Sequence, residues 1–186
     1  MKMLLSKEDL EVVRQLRDLN ILDEVKGHLL DQRKGIILIS CADGDQFNDI
    51  FSQKVKLQEG HCEYPRVHTF CWNGGALRLA PNSPVNKPGR STCRDLLDEI
   101  KDARMMKAID TIALYIHAPC GKARAYNLSF INEINLLMSA KTNIKKENPN
   151  IHVACFGHID YGDKKRTYFI SRENWFRERQ NISGSI

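Results

Sequence analysis

Residues Ile36–Ser40 read Ile-Ile-Leu-Ile-Ser, an apolar run with no polar position until its end. A strand with one wet face alternates apolar and polar side chains. An unbroken run predicts a strand covered on both faces, as in a parallel sheet between helix layers. No other segment constrains the architecture as tightly.

Further strand signals lie at 67–71, 111–116 and 151–156, with a short return strand at 167–170. Helical spacing fills the intervals. Ser6 with Asp9 resembles a capping box ahead of Leu10, Val13, Leu16 and Leu19. Leu22, Val25, Leu29 and Leu30 continue a second helical face that Gly35 stops. Asp45 is placed to cap a helix bearing Phe47, Ile50, Phe51 and Val55. Thr92 with Asp95 opens another, with Leu96, Leu97, Ile100 and Ala103 inward. One long helix is predicted over 123–141, and a last one over 172–180. Alternating strands and helices imply βαβ units. The expected fold class is α/β: a mostly parallel central sheet flanked by helices, with helices at the N-terminus. A length of 186 residues suits one domain. It divides into an N-terminal helical region (1–34), a core (35–170) and a C-terminal helix and tail (171–186).

The formal net charge is +5, but the cations are dispersed, and the longest basic runs are Lys145-Lys146 and Lys164-Lys165-Arg166. A nucleic-acid binder concentrates them in a stripe, so nucleic acid is not an expected partner. Charges interrupt the first apolar residues, so no signal peptide is expected. No apolar run reaches the roughly 18 residues of a membrane span. These features predict a cytoplasmic protein with reduced thiols. The six cysteines, at 41, 62, 71, 93, 120 and 155, include no CxxC pair. Cys71, Cys93 and Cys155 fall on predicted strand or helix positions and read as core.

Ligands of parallel α/β sheets sit beyond the C-terminal ends of the strands. Cys41 follows the first predicted strand; His117 and Cys120 follow the third. Zinc favours thiolate and imidazole in a tetrahedron, and a Cys2His set leaves a fourth position for water or a carboxylate. Asp43 is two residues from Cys41 and can reach that position. On spacing alone, two buried thiols and a hydrogen-bonded turn histidine stand ahead of a metal site, because free cysteine is commonly buried.

The chain also resembles a family. Its segment Cys41-Ala42-Asp43-Gly44-Asp45 is similar to the C-x-D-x-R segment of β-class carbonic anhydrases, and His117-Ala118-Pro119-Cys120-Gly121 to their H-x-x-C-G segment. Phe70-Cys71-Trp72-Asn73-Gly74-Gly75 resembles the segment between them, R-N-x-G. The late stretch from Val153 to Asp163 resembles that family's late strand and turn. The resemblance covers about residues 33–170. It implies a zinc ion held by Cys41, His117 and Cys120, and reversible hydration of carbon dioxide to bicarbonate by zinc-bound hydroxide. It also implies a homodimer or higher homo-oligomer with the site at the interface.

The departures bear on activity. The family's motif arginine pairs with the aspartate and holds it off the metal. Asp45 stands at that position here, and Trp72 replaces the arginine of the middle segment. Asp43, the candidate catalytic residue, is therefore expected to take the fourth metal position and close it. Arg78, Lys122 and Arg124 are the candidates to replace the missing cation. The alternative is an inactive zinc-binding homologue with a structural or partner-binding role. Asn73-Gly74-Gly75 is either a tight turn or a close backbone approach to a ligand. Phe70 and Tyr126 are candidates to line an apolar pocket, His158 is a weak site candidate, and Trp175-Phe176 is a candidate oligomer contact.

Overall fold

The computed structural model describes residues 3–26, 33–59 and 66–183. Its sheet has six strands in the order β1-β6-β5-β4-β2-β3: β1 (Leu22–Asp23), β2 (Ile36–Ser40), β3 (Val67–Cys71), β4 (Thr111–Ala118), β5 (His152–Asp160) and β6 (Lys165–Ile170). Strands β2, β3, β4 and β5 run parallel, and β6 is antiparallel to both β5 and β1. The predicted α/β architecture is present, as a mixed, mostly parallel sheet.

Period-two alternation sends β2, β4 and β5 side chains to opposite faces. Ile37, Ile39, Ile112, Leu114 and Cys155 join the larger core with helices α1 (Lys7–Asp18), α3 (Thr92–Lys107), α5 (Phe130–Glu147) and α6 (Arg172–Ser183). Ile36, Leu38, Ala113, Tyr115, Ala154 and Phe156 face the other side, where α2 (Gly44–Glu59) contributes Ile50. All five β2 residues are buried, as the unbroken run requires.

The first helix starts as read: the Asp9 amide donates to Ser6 Oγ at 3.0 Å. Three expectations change. Leu22 and Asp23 are strand, paired with Ile170 and Phe169, because sheet pairing outweighs local helical spacing; Leu29 and Leu30 lie outside the described residues. The cap of α2 is Asp43, whose Oδ1 accepts from the Asp45 amide at 3.0 Å, not Asp45. The long helix is two: α4 (Gly121–Arg124) and α5. Asn127 adopts a left-handed φ of 52° between them, and Ser129 Oγ then caps α5 by accepting from the Asn132 amide, satisfying a helix-start donor. Trp175 is 1 % exposed within its own core, so only Phe176 of that pair is available at the surface.

Candidate metal centre

Cys41 continues from the end of β2. The segment after β3 runs alongside it: Trp72 donates its amide to Ser40 O at 3.3 Å, and Ala42 donates to Trp72 O at 3.1 Å. The chain then turns so that the Gly74 amide donates to Cys41 Sγ at 3.3 Å. Gly75 takes a φ of +44°, and a Cβ there would stand 2.4 Å from the Cys41 nitrogen. The approach therefore needs glycine. Asn73-Gly74-Gly75 is thus a tight turn, closed by the Gly75 amide on Trp72 O at 2.7 Å, and the backbone it approaches closely is that of Cys41.

Strand β4 continues to Ala118, so His117 is a strand residue rather than the first residue of a loop. Cys120 immediately precedes α4. Cys41, His117 and Cys120 come together, all buried, with one ligand atom from each within 4.8 Å of the others. The other predicted residue, Asp43, places Oδ2 3.9 Å from His117 Nε2.

The chemistry of this set fits zinc. Tetrahedral ligands at zinc distances stand about 3.3–3.8 Å from one another, compatible with the cluster. His117 is 2 % exposed, yet neither ring nitrogen finds a hydrogen-bond partner among the described residues. Buried polar atoms are seldom left unpaired, and a metal ion would supply a partner for one of the two nitrogens. The closeness of the two thiols lowers the pKa of Cys41 and raises that of Cys120; His117 and the Gly74 amide lower Cys41 further, against burial. The direction at Cys41 favours the thiolate, the form that binds metal.

None of the three proposed substitute cations forms an ion pair with Asp43 among the described residues. Arg78 Nε donates to Asn73 O at 2.7 Å. The Lys122 ammonium lies 4.5 Å from the centre of the Tyr126 ring. Arg124 lies at a cavity of about 460 Å3 on the Cys120 side, shared with Leu4, Ala118, Phe130 and Glu133. Phe70 stacks on Trp72 at 5.5 Å, and Tyr126 is 37 % exposed.

His158 sits beside His117 in the β4–β5 register. Its Nδ1 is 2.8 Å from Thr167 Oγ1, and burial holds its pKa down at about 4. A cavity of about 630 Å3 opens at His158, Asp160, Asp49 and Lys165. Two buried ionisable groups escaped the sequence reading. Glu133 is 4 % exposed beside Cys120's cavity, and its carboxyl pKa is raised well above the usual range by burial, with Asp9 and Cys41 adding to it. Lys54 is fully buried, its Nζ 3.7 Å from the Phe156 ring centre. The available signal was helical spacing: Glu133 adjoins the inward Ile134, and Lys54 lies four residues after Ile50.

No protein-family model matches the chain, and no curated protein matches it. Among solved structures, the chain is similar to the carbonic anhydrase of Streptococcus mutans. That similarity spans 89% of this chain and 99% of that chain, with 13% sequence identity and a TM-score of 0.39, a likeness too weak to bear on activity. No helix among the described residues is long and apolar enough to cross a membrane.

Proposed function

We propose that this chain is a zinc-dependent, β-carbonic-anhydrase-like protein that interconverts carbon dioxide and bicarbonate. The observation that carries the reading is the convergence of Cys41, His117 and Cys120 from two distant segments into one buried cluster. The resemblance of their flanking residues supports the choice of zinc and of substrate. Zinc in such a site supplies a Lewis acid that brings the pKa of a water to about 7.

The chain's own residues divide the remaining work. Cys41 and Cys120 provide negative charge, and His117 a neutral donor. The Gly74 amide orients the Cys41 sulfur. Asp43 controls the fourth position. Its Oδ1 is engaged by the Asp45 amide and its Oδ2 faces His117, with no lysine or arginine paired to it among the described residues. That observation favours a second reading, in which Asp43 closes the site and the protein holds zinc without turnover. A homodimer and a cytoplasmic location complete the proposal.

Zinc stoichiometry and carbon dioxide hydration, measured across pH on the zinc-loaded protein, decide between them. One zinc per chain with hydration above the buffer rate supports the enzyme; one zinc without hydration supports the closed site. Absence of zinc after purification and reconstitution overturns both.

A further inference from the structure

The cavity of about 460 Å3 beside Cys120 lies between the N-terminal segment and the start of α5, and its size suits a small metabolite. Cys120 stands on its wall; Cys41, His117 and Asp43 do not. Nothing that follows depends on zinc or on carbon dioxide. Much of the wall is apolar. Ala118, Ala123 and Phe130 are buried in it, with Leu4 and Leu128 more exposed.

One buried carboxyl interrupts that wall. Glu133 is 4 % exposed and makes no hydrogen bond or ion pair among the described residues. Its Oε2 is sealed from open space; its Oε1 is not, and the open space beside Glu133 is this cavity. Helix capping does not account for the group. Glu133 lies in the first turn of α5, but the cap there is Ser129, whose Oγ accepts from the Asn132 amide at 3.3 Å. A carboxyl buried without a partner is costly, and a ligand donor reaching Oε1 would remove that cost.

Two opposite charges share the same cavity without meeting. Asp9, in the first turn of α1, accepts from Ser6 Oγ through Oδ2 at 3.1 Å, and no described residue bonds Oδ1. Asp9 is near enough to Glu133 to raise its pKa, so these two carboxyls form an acidic side. Arg124 of α4 lines the cavity too, exposed and with no ion pair or hydrogen bond among the described residues. An aspartate and an arginine that border one cavity unpaired are held beyond salt-bridge reach of each other. A molecule carrying both charges spans that gap.

We propose that this cavity binds a free amino acid with an apolar side chain. The ammonium donates to Glu133 Oε1 and to Asp9. The carboxylate accepts from Arg124 and from the Ser129 hydroxyl, and the side chain packs against Phe130 and Leu128. A carboxyl accepts through one oxygen whether or not the other carries a proton, so Glu133 serves the ammonium in either state.

The test is calorimetric titration of the full chain at fixed pH and ionic strength. The probes are L-leucine, 3-methylbutylamine, which lacks the carboxylate, and 4-methylpentanoate, which lacks the amine. Leucine is expected to bind about tenfold or more tighter than either truncated probe, the worth of one charge-assisted hydrogen bond. Glu133→Met, which keeps the length and removes both oxygens, and Arg124→Gln, on an exposed side chain, are each expected to weaken leucine by a similar factor. Retained affinity in Glu133→Met with its fold intact overturns the proposal, as does retained affinity in Arg124→Gln, which carries no risk to the packing. Either truncated probe binding as tightly as leucine overturns the ligand class, and no saturable leucine binding at millimolar concentration overturns the site. Zinc content and hydration are not read, so failure here is distinct from failure of the proposed function.

Discussion

Asp43 Oδ2 stands 3.9 Å from Nε2 of the buried His117, while the other oxygen of the same carboxylate caps α2 through the Asp45 amide. One side chain therefore ties the start of a helix to the candidate metal centre. Removing it acts on both. Asp43→Ala is expected to lower zinc affinity about 10–100-fold, the usual cost of losing a group that supports a metal ligand, and to raise hydration per bound zinc. Asp45→Arg, which supplies a cation for Asp43, is expected to raise hydration without the loss of affinity. Competition with a chelating dye and stopped-flow hydration measure the two effects. No gain in either variant, with zinc retained, sinks the gating argument.

Cys41→Ser and Cys120→Ser are each expected to abolish stoichiometric zinc. Chelation of the wild type is expected to lower Tm, since a ligand at 100 times its Kd contributes about 2.7 kcal/mol. The same chelator should leave the Tm of either variant unchanged. Metal analysis and thermal unfolding with and without chelator make the comparison.

Gly75→Ala is expected to cost roughly 2–5 kcal/mol, from a left-handed φ imposed on alanine and a clash with the Cys41 backbone. Gly89→Ala is the control: its φ is +72° but nothing lies within 4 Å of the added Cβ, so only the conformational cost of about 1–2 kcal/mol applies. Urea unfolding reads both. Equal losses in the two variants contradict the close approach at the metal centre.

Burial lowers the Lys54 pKa from 10.5 to about 7. Between those values the unfolded chain binds a proton that the folded chain does not, so this group makes stability rise as pH rises from 7 toward 10.5. Lys54→Met is expected to remove that slope and to stabilise the protein at pH 7 by roughly 3–5 kcal/mol. Denaturant unfolding at pH 7, 8.5 and 10 tests it through the difference between variant and wild type. A difference independent of pH rules the assignment out.

Glu133 has the opposite sign. Its folded-state pKa is raised by burial, so above about pH 4.5 the unfolded chain ionises while the folded chain holds its proton, and this group makes stability fall as pH rises. Glu133→Gln keeps the shape and removes the ionisation. The variant should gain on the wild type between pH 5 and 8 in the same unfolding assay, and a constant offset would show that the carboxyl does not titrate there.

Much of the architecture was legible because each signal was local. Four side chains of β2 without a polar break require two covered faces, and Ser6 three residues before Asp9 marks the start of α1. The Cys2His set was legible because its members follow or end strands, where a parallel sheet gathers its ligands. Other features depend on partners distant in sequence. Leu22 pairs with Ile170 across nearly the whole chain, so its helical spacing misleads. The break between α4 and α5 rests on one left-handed Asn127, which periodicity cannot register.

Local chemistry determined this protein's layers, most of its strands and the identity of three candidate ligands, because hydrophobic period, capping residues and soft donors are properties of short segments. Tertiary structure alone decided that Gly74 reaches the Cys41 sulfur, that no described cation pairs with Asp43, and that Lys54 and Glu133 are sealed from water. Those outcomes follow from distances between elements, and a distance between elements exists only once the chain has packed.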